Sequence, residues 1–132
     1  MKLTENIIRF ENHFKKSLEL INRDISDYLV YNTLAMECFR SVNALIEIGE
    51  YIVSKEKLGF PSSYREVFEL LEKNKIINKN ELKNIKRLIF LGNLIAHEYT
   101  KISEKELKEM VNLLKNIKKF VERIKKEEKI CH

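Results

Sequence analysis

The chain has 132 residues, 44% apolar and 34% charged, which is one domain's worth of core and too hydrophobic for disorder. Three glycines and one proline leave too few turn residues for a sandwich or barrel, so an all-α fold is expected. The net charge of +5 is uneven, with seven basic residues against three acids between Lys115 and Lys129; that suits a solvated helix face or a polyanionic partner.

Leu3, Ile7, Phe10, Phe14, Leu18 and Ile21 recur at steps of three and four, marking a first helix that ends near Asn22. A second helix, from about Ser26 to Lys57, carries Leu29, Leu34, Met36, Phe39, Val42, Leu45, Ile46, Ile48, Ile52 and Val53. Apolar residues on several of its sides place it at the centre of a bundle. Gly59-Phe60-Pro61 breaks the chain, and Ser63 with Glu66 has the spacing of a capping box, so a third helix starts near Tyr64 and ends at Asn74. Asn78 or Asn80 caps a fourth helix with Leu82, Ile85, Leu88 and Ile89; Ser103 and Glu106 repeat the box and open a fifth, with Leu107, Met110, Val111, Leu114, Ile117, Val121 and Ile124 on one face. Long helices and short links predict a single domain over residues 1–132, an up-and-down bundle of about five helices with a basic tail from about residue 125.

No window approaches eighteen uncharged apolar residues, and acids interrupt the amino-terminal stretch where a signal peptide keeps its apolar run. A cytoplasmic protein without membrane contact is expected. Cys38 and Cys131 have neither a CxxC spacing nor a histidine at ligand spacing, which points to free thiols.

Of the three histidines, His13 among polar neighbours and His132 at the last position read as structural or solvent-facing. His97 differs because it closes the apolar run of the fourth helix and is followed by Glu98 and Tyr99, which gathers an imidazole, a carboxylate and a phenol at one helix end. Imidazole titrates near neutrality and helix ends are reachable by ligands; by spacing alone, a capping or core histidine and a catalytic one fit equally. Other ligand types are not arranged around it for a metal.

The stretch Arg87-Leu88-Ile89-Phe90-Leu91-Gly92-Asn93-Leu94-Ile95-Ala96-His97-Glu98-Tyr99 resembles the signature segment of the HepT-like proteins of the HEPN superfamily, whose pattern is Arg, usually Asn, three further residues, His, any residue, Tyr. Upstream, Ile46 to Ile52 and Leu58 to Leu71, with Pro61-Ser62-Ser63-Tyr64-Arg65 at its centre, are similar to the family's second helix and the entry to its third. The resemblance spans roughly residues 28 to 120 and implies a HEPN-like bundle.

It further implies a toxin of a toxin–antitoxin pair: a homodimeric, cofactor-free endoribonuclease that cleaves RNA without metal. Its partner would be an MntA-like nucleotidyltransferase antitoxin that silences it by transferring AMP to the motif tyrosine. His97 falls on the catalytic histidine, Asn93 on the polar residue after the arginine, and Tyr99 on the AMP acceptor. RNA carries its own nucleophile in the 2′-hydroxyl, so an imidazole for proton transfer and a cation for the phosphorane charge suffice.

The chain departs from the pattern at Gly92, where the motif arginine belongs. Losing such a donor costs about a hundred- to a thousandfold in rate. Arg87 lies ten residues before His97, about 15 Å along a straight helix, so the charge would come from a partner protomer's Arg87 or from Arg40 or Arg65 on neighbouring helices. Glu47 and Glu50 are carboxylates suited to orienting His97 or to the helix surface. The alternative reading is a catalytically weakened bundle that serves as binding partner or substrate of a nucleotidyltransferase. A third is a basic nucleic-acid-binding dimer without chemistry, its RNA binding steeply salt-dependent.

Overall fold

Five helices make up the regular structure of the computed structural model, which describes residues 2–97 and 102–130. They are α1 (Lys2–Leu20), α2 (Tyr28–Lys55), α3 (Tyr64–Lys73), α4 (Lys79–His97) and α5 (Glu104–Ile130). None of the helices is long and apolar enough to cross a membrane.

Each of the last four starts at a side chain that satisfies its first backbone N–H groups. The Asp27 carboxylate accepts from Leu29 and Val30 N–H at the start of α2. Of the two asparagines before α4, Asn78 is the cap, in a full capping box with Glu81 at 2.8 and 3.0 Å. Ser103 and Glu106 close the same reciprocal pair on α5, at 2.9 and 3.0 Å. At α3 the box is shifted: Ser63 Oγ accepts from Glu66 N–H, but the Glu66 carboxylate reaches back one residue further, to the backbone N–H of Ser62.

Two helix ends carry a feature that composition does not announce. Lys57 and Lys75 have φ of 53° and 61°, the left-handed conformation usually given to glycine. Around them Leu58 N–H bonds Val53 O and Lys57 N–H bonds Ser54 O, while Ile76 N–H bonds Leu71 O and Lys75 N–H bonds Glu72 O. Both are Schellman motifs, which stop α2 and α3 without glycine.

The α2 helix is central and packs against all four others. Arg9 meets Glu47 and His13 meets Glu37, so α1 runs antiparallel to α2. Gly92 of α4 faces Val42 of α2, and the Tyr31 hydroxyl donates to the Ile102 carbonyl, so α4 also runs antiparallel to α2. Arg87 to Glu109 and Glu81 to Arg123 set α5 antiparallel to α4. The core between them is apolar, with Phe10, Phe68, Phe120, Leu34, Leu45, Leu88 and Met110 fully buried. Truncating such a phenylalanine to alanine costs about 3–5 kcal/mol.

Two residues read as apolar helix faces lie at the surface: Leu29 (73% exposed) and Met36 (43%). The carboxyl end of α5 stays helical to Ile130 and is fastened by Arg123 to Glu81 and by Lys125 to Glu11.

Candidate functional site

The last two turns of α4 leave the core at the residues of interest. Leu91 and Gly92 are buried, Leu94 and Ile95 half-buried, and Asn93, Ala96 and His97 exposed. Asn93 and His97 are four residues apart, so their side chains sit one above the other on the same helix face, about 6 Å apart along the axis. His97 is the final residue of α4. Glu98 and Tyr99, the remaining members of the signature, lie outside the described residues.

An open groove of about 560 Å³ runs past Asn93. Its walls are Glu50 of α2, the turn Pro61–Ser63, Tyr64 and Arg65 at the start of α3, and Asn93 of α4, while Val67 and Ile89 contribute apolar surface. The α2–α3 approach behind it depends on Gly49, because a methyl there would stand 2.8 Å from the Phe68 ring and 3.0 Å from Val67 Cγ1. The turn is held by the Glu66 carboxylate on Ser62, and those hydrogen bonds keep the Glu66 carboxyl below its ordinary value.

The proposed sources of positive charge separate clearly. Arg87 points toward α5, where it holds Glu109 by hydrogen bonds of 2.7 and 3.0 Å and lies 5.2 Å from the centre of the Phe90 ring. The Glu109 hydrogen bond stabilises the charged guanidinium and raises its pKa, and the same bond lowers that of Glu109. Arg40 is exposed on α2 but does not line the groove, whereas Arg65 does. Glu47 is engaged with Arg9 at 2.8 Å, and its neighbour one turn on, Glu50, is the carboxylate in the groove wall. The side chain of residue 92 would leave the backbone facing Val42, inside the seam between α2 and α4.

Away from this face, His13 Nδ1 lies 2.6 Å from Glu37 Oε2, with Lys16 Nζ 3.9 Å from the other carboxylate oxygen, so His13 is a structural partner of a buried acid. Cys38 is fully buried and its thiol is pushed up to about 12 by burial, which removes it as a nucleophile. Among the described residues no cluster of three or more His, Cys, Asp or Glu is arranged to hold a metal ion.

The convergence of Arg65, Glu50 and Asn93 was invisible in the sequence. They stand on three helices, and only the folding of α3 onto α2 and α4 brings them to one groove.

The five-helix bundle and the segment that ends its fourth helix define an all-α protein of the HepT-like class. Residues 3–124 match the family model "Ribonuclease HepT-like", and the chain belongs to that family. It is 28% identical over 102 residues to the mRNA nuclease HepT of Shewanella oneidensis, an overlap of 76% of this chain and 77% of the relative. Among solved structures it is similar to a toxin–antitoxin with AMP-PNP, at a TM-score of 0.86 and 22% identity, covering 94% of this chain and 97% of the other. The tri-AMPylated Shewanella oneidensis HEPN toxin in complex with MNT antitoxin gives 0.85 and 24%, covering 94% and 96%.

Proposed function

We propose that this protein is the ribonuclease toxin of a toxin–antitoxin pair. The single observation that carries the reading is the exposed His97 with Asn93 one turn before it, in a chain that matches the HepT-like family over residues 3–124. His97 acts as general acid or base on RNA. In the base role it takes the proton of a 2′-hydroxyl, whose oxygen attacks the adjacent phosphorus while the 5′-oxygen of the next nucleotide leaves. Asn93 donates its amide N–H to the phosphate. The chemistry needs no metal, and the active form is a homodimer.

Control follows from the same segment. A nucleotidyltransferase antitoxin joins the Tyr99 oxygen to the α-phosphorus of ATP and releases pyrophosphate. The added bulk and negative charge, two residues from His97, repel an incoming RNA phosphate. The similarity to an AMPylated toxin bound to its MNT antitoxin supports this step.

A second reading is favoured by Gly92. With no cation at that position and its backbone turned into the α2–α4 seam, the chain would be a silent member of the family that docks the nucleotidyltransferase. Incubating purified protein with RNA in the presence of a chelator separates the two. The ribonuclease cleaves and His97→Ala does not; the silent bundle does neither, and gains cleavage in Gly92→Arg. Intact-mass analysis after incubation with the antitoxin and ATP should show AMP on the wild type and none on Tyr99→Phe.

A further inference from the structure

We propose that Arg65 supplies the phosphate-binding cation that the missing motif arginine leaves absent, with the groove between α2, α3 and α4 as the track for the RNA backbone. The inference rests on the ribonuclease reading for its activity arm, but its binding arm stands without it.

Three observations lead to it. Residue 92 opens onto Val42 within the seam between two helices. Arg87, the basic residue nearest in the chain, is already spent on Glu109 through two hydrogen bonds. Arg65, by contrast, is exposed, lines the groove shared with Asn93, and has no ion-pair partner among the described residues. Its backbone is held in place by the shifted capping box, in which Ser63 Oγ accepts from Glu66 N–H and the Glu66 carboxylate accepts from Ser62 N–H at 2.6 Å. From this fixed backbone position the guanidinium offers a planar set of donors matched to two phosphate oxygens.

The rest of the wall fits a phosphodiester. Asn93, Ser63 and Tyr64 add neutral hydrogen-bond donors, and the exposed Tyr64 ring offers apolar surface for a sugar or base. Among the described residues, Glu50 is the one carboxylate lining the groove. Its charge opposes a phosphate, so the groove binds RNA below its full capacity, and removing that charge tightens binding.

The test compares wild type with Arg65→Gln, Arg65→Lys, Glu50→Gln and, as a charge control outside the groove, Arg23→Gln. One arm measures cleavage of RNA; the other measures binding of a 2′-O-methyl oligonucleotide, which cannot be cleaved, by fluorescence anisotropy across salt. Thermal melts confirm that each variant is folded. Arg65→Gln should lower cleavage about a hundredfold and reduce the salt slope of binding by about 0.7, the share of one phosphate contact on a single strand. Arg65→Lys should recover part of both, Glu50→Gln should bind more tightly, and Arg23→Gln should match wild type.

If His97→Ala abolishes cleavage while Arg65→Gln stays within twofold of wild type in both arms, the ribonuclease reading stands and the role of Arg65 is overturned. If the wild type cleaves nothing, the ribonuclease reading falls; a reduced salt slope in Arg65→Gln still supports the groove as the phosphate track. An unchanged slope, or a wild type that does not bind the oligonucleotide, overturns it.

Discussion

Gly92 of α4 faces Val42 of α2 at a distance where a methyl at residue 92 would stand 3.5 Å from Val42 Cγ1, an ordinary van der Waals contact. The glycine is therefore not demanded by packing. Gly92→Ala should stabilise the protein by up to about 1 kcal/mol, the helix-propensity difference. Gly49 is the opposite case, since its methyl would meet the Phe68 ring at 2.8 Å, and Gly49→Ala should cost about 1–3 kcal/mol through overpacking. Urea unfolding of the two variants, compared with wild type, checks both signs.

The left-handed lysines give a second stability prediction. Lys57 and Lys75 hold φ of 53° and 61° in the caps of α2 and α3, a conformation that disfavours a Cβ. Glycine removes that penalty at some entropic cost in the unfolded chain, so Lys57→Gly and Lys75→Gly should each gain about 0.5–1 kcal/mol. They occupy separate caps, and the double variant should show the sum in its melting temperature.

Acid should act through Glu81. Burial alone would raise its carboxyl, but the Arg123 hydrogen bonds, the Asn78 N–H and the Arg123 charge outweigh that and hold it below the ordinary 4.5. As pH falls the unfolded chain takes up its proton first, so the stability from this pair is complete above about 4.5 and is lost as pH drops through the lower folded value. With Arg123 nearly half exposed, the contribution is about 1 kcal/mol. Stability measured from pH 7 to 3 should fall less steeply in Arg123→Leu than in wild type.

Cys38 should be chemically silent in the folded protein. Its thiol is buried and pushed up to about 12, so in a Cys131→Ser background a thiol-reactive disulfide reagent at pH 8 should label nothing until denaturant is added. Rapid labelling without denaturant would contradict the packing of α1 on α2 around it.

Much of this architecture was legible from local rules. Ser103 with Glu106 predicted the start of α5 because a capping box needs only residues three apart, and the stripe from Leu107 to Ile124 is buried throughout. Leu29 and Met36 were misassigned because α2 is apolar on several sides, and periodicity cannot say which side a neighbour covers. The Schellman caps escaped notice because their usual glycine is replaced by lysine. At the site, His97 and Asn93 stood out by their place in a contiguous segment, and so did the departure at Gly92. The groove did not, since Glu50, Arg65 and Asn93 meet only through the packing of three helices. Nor could sequence show that Arg87 is engaged with Glu109, a partner on another helix.

The most direct test of the central claim is a cleavage assay on RNA, with chelator present, comparing wild type and His97→Ala at equal concentration and equal thermal stability. Wild type should cleave with the chelator present, and His97→Ala should not. Undiminished cleavage by His97→Ala would contradict it.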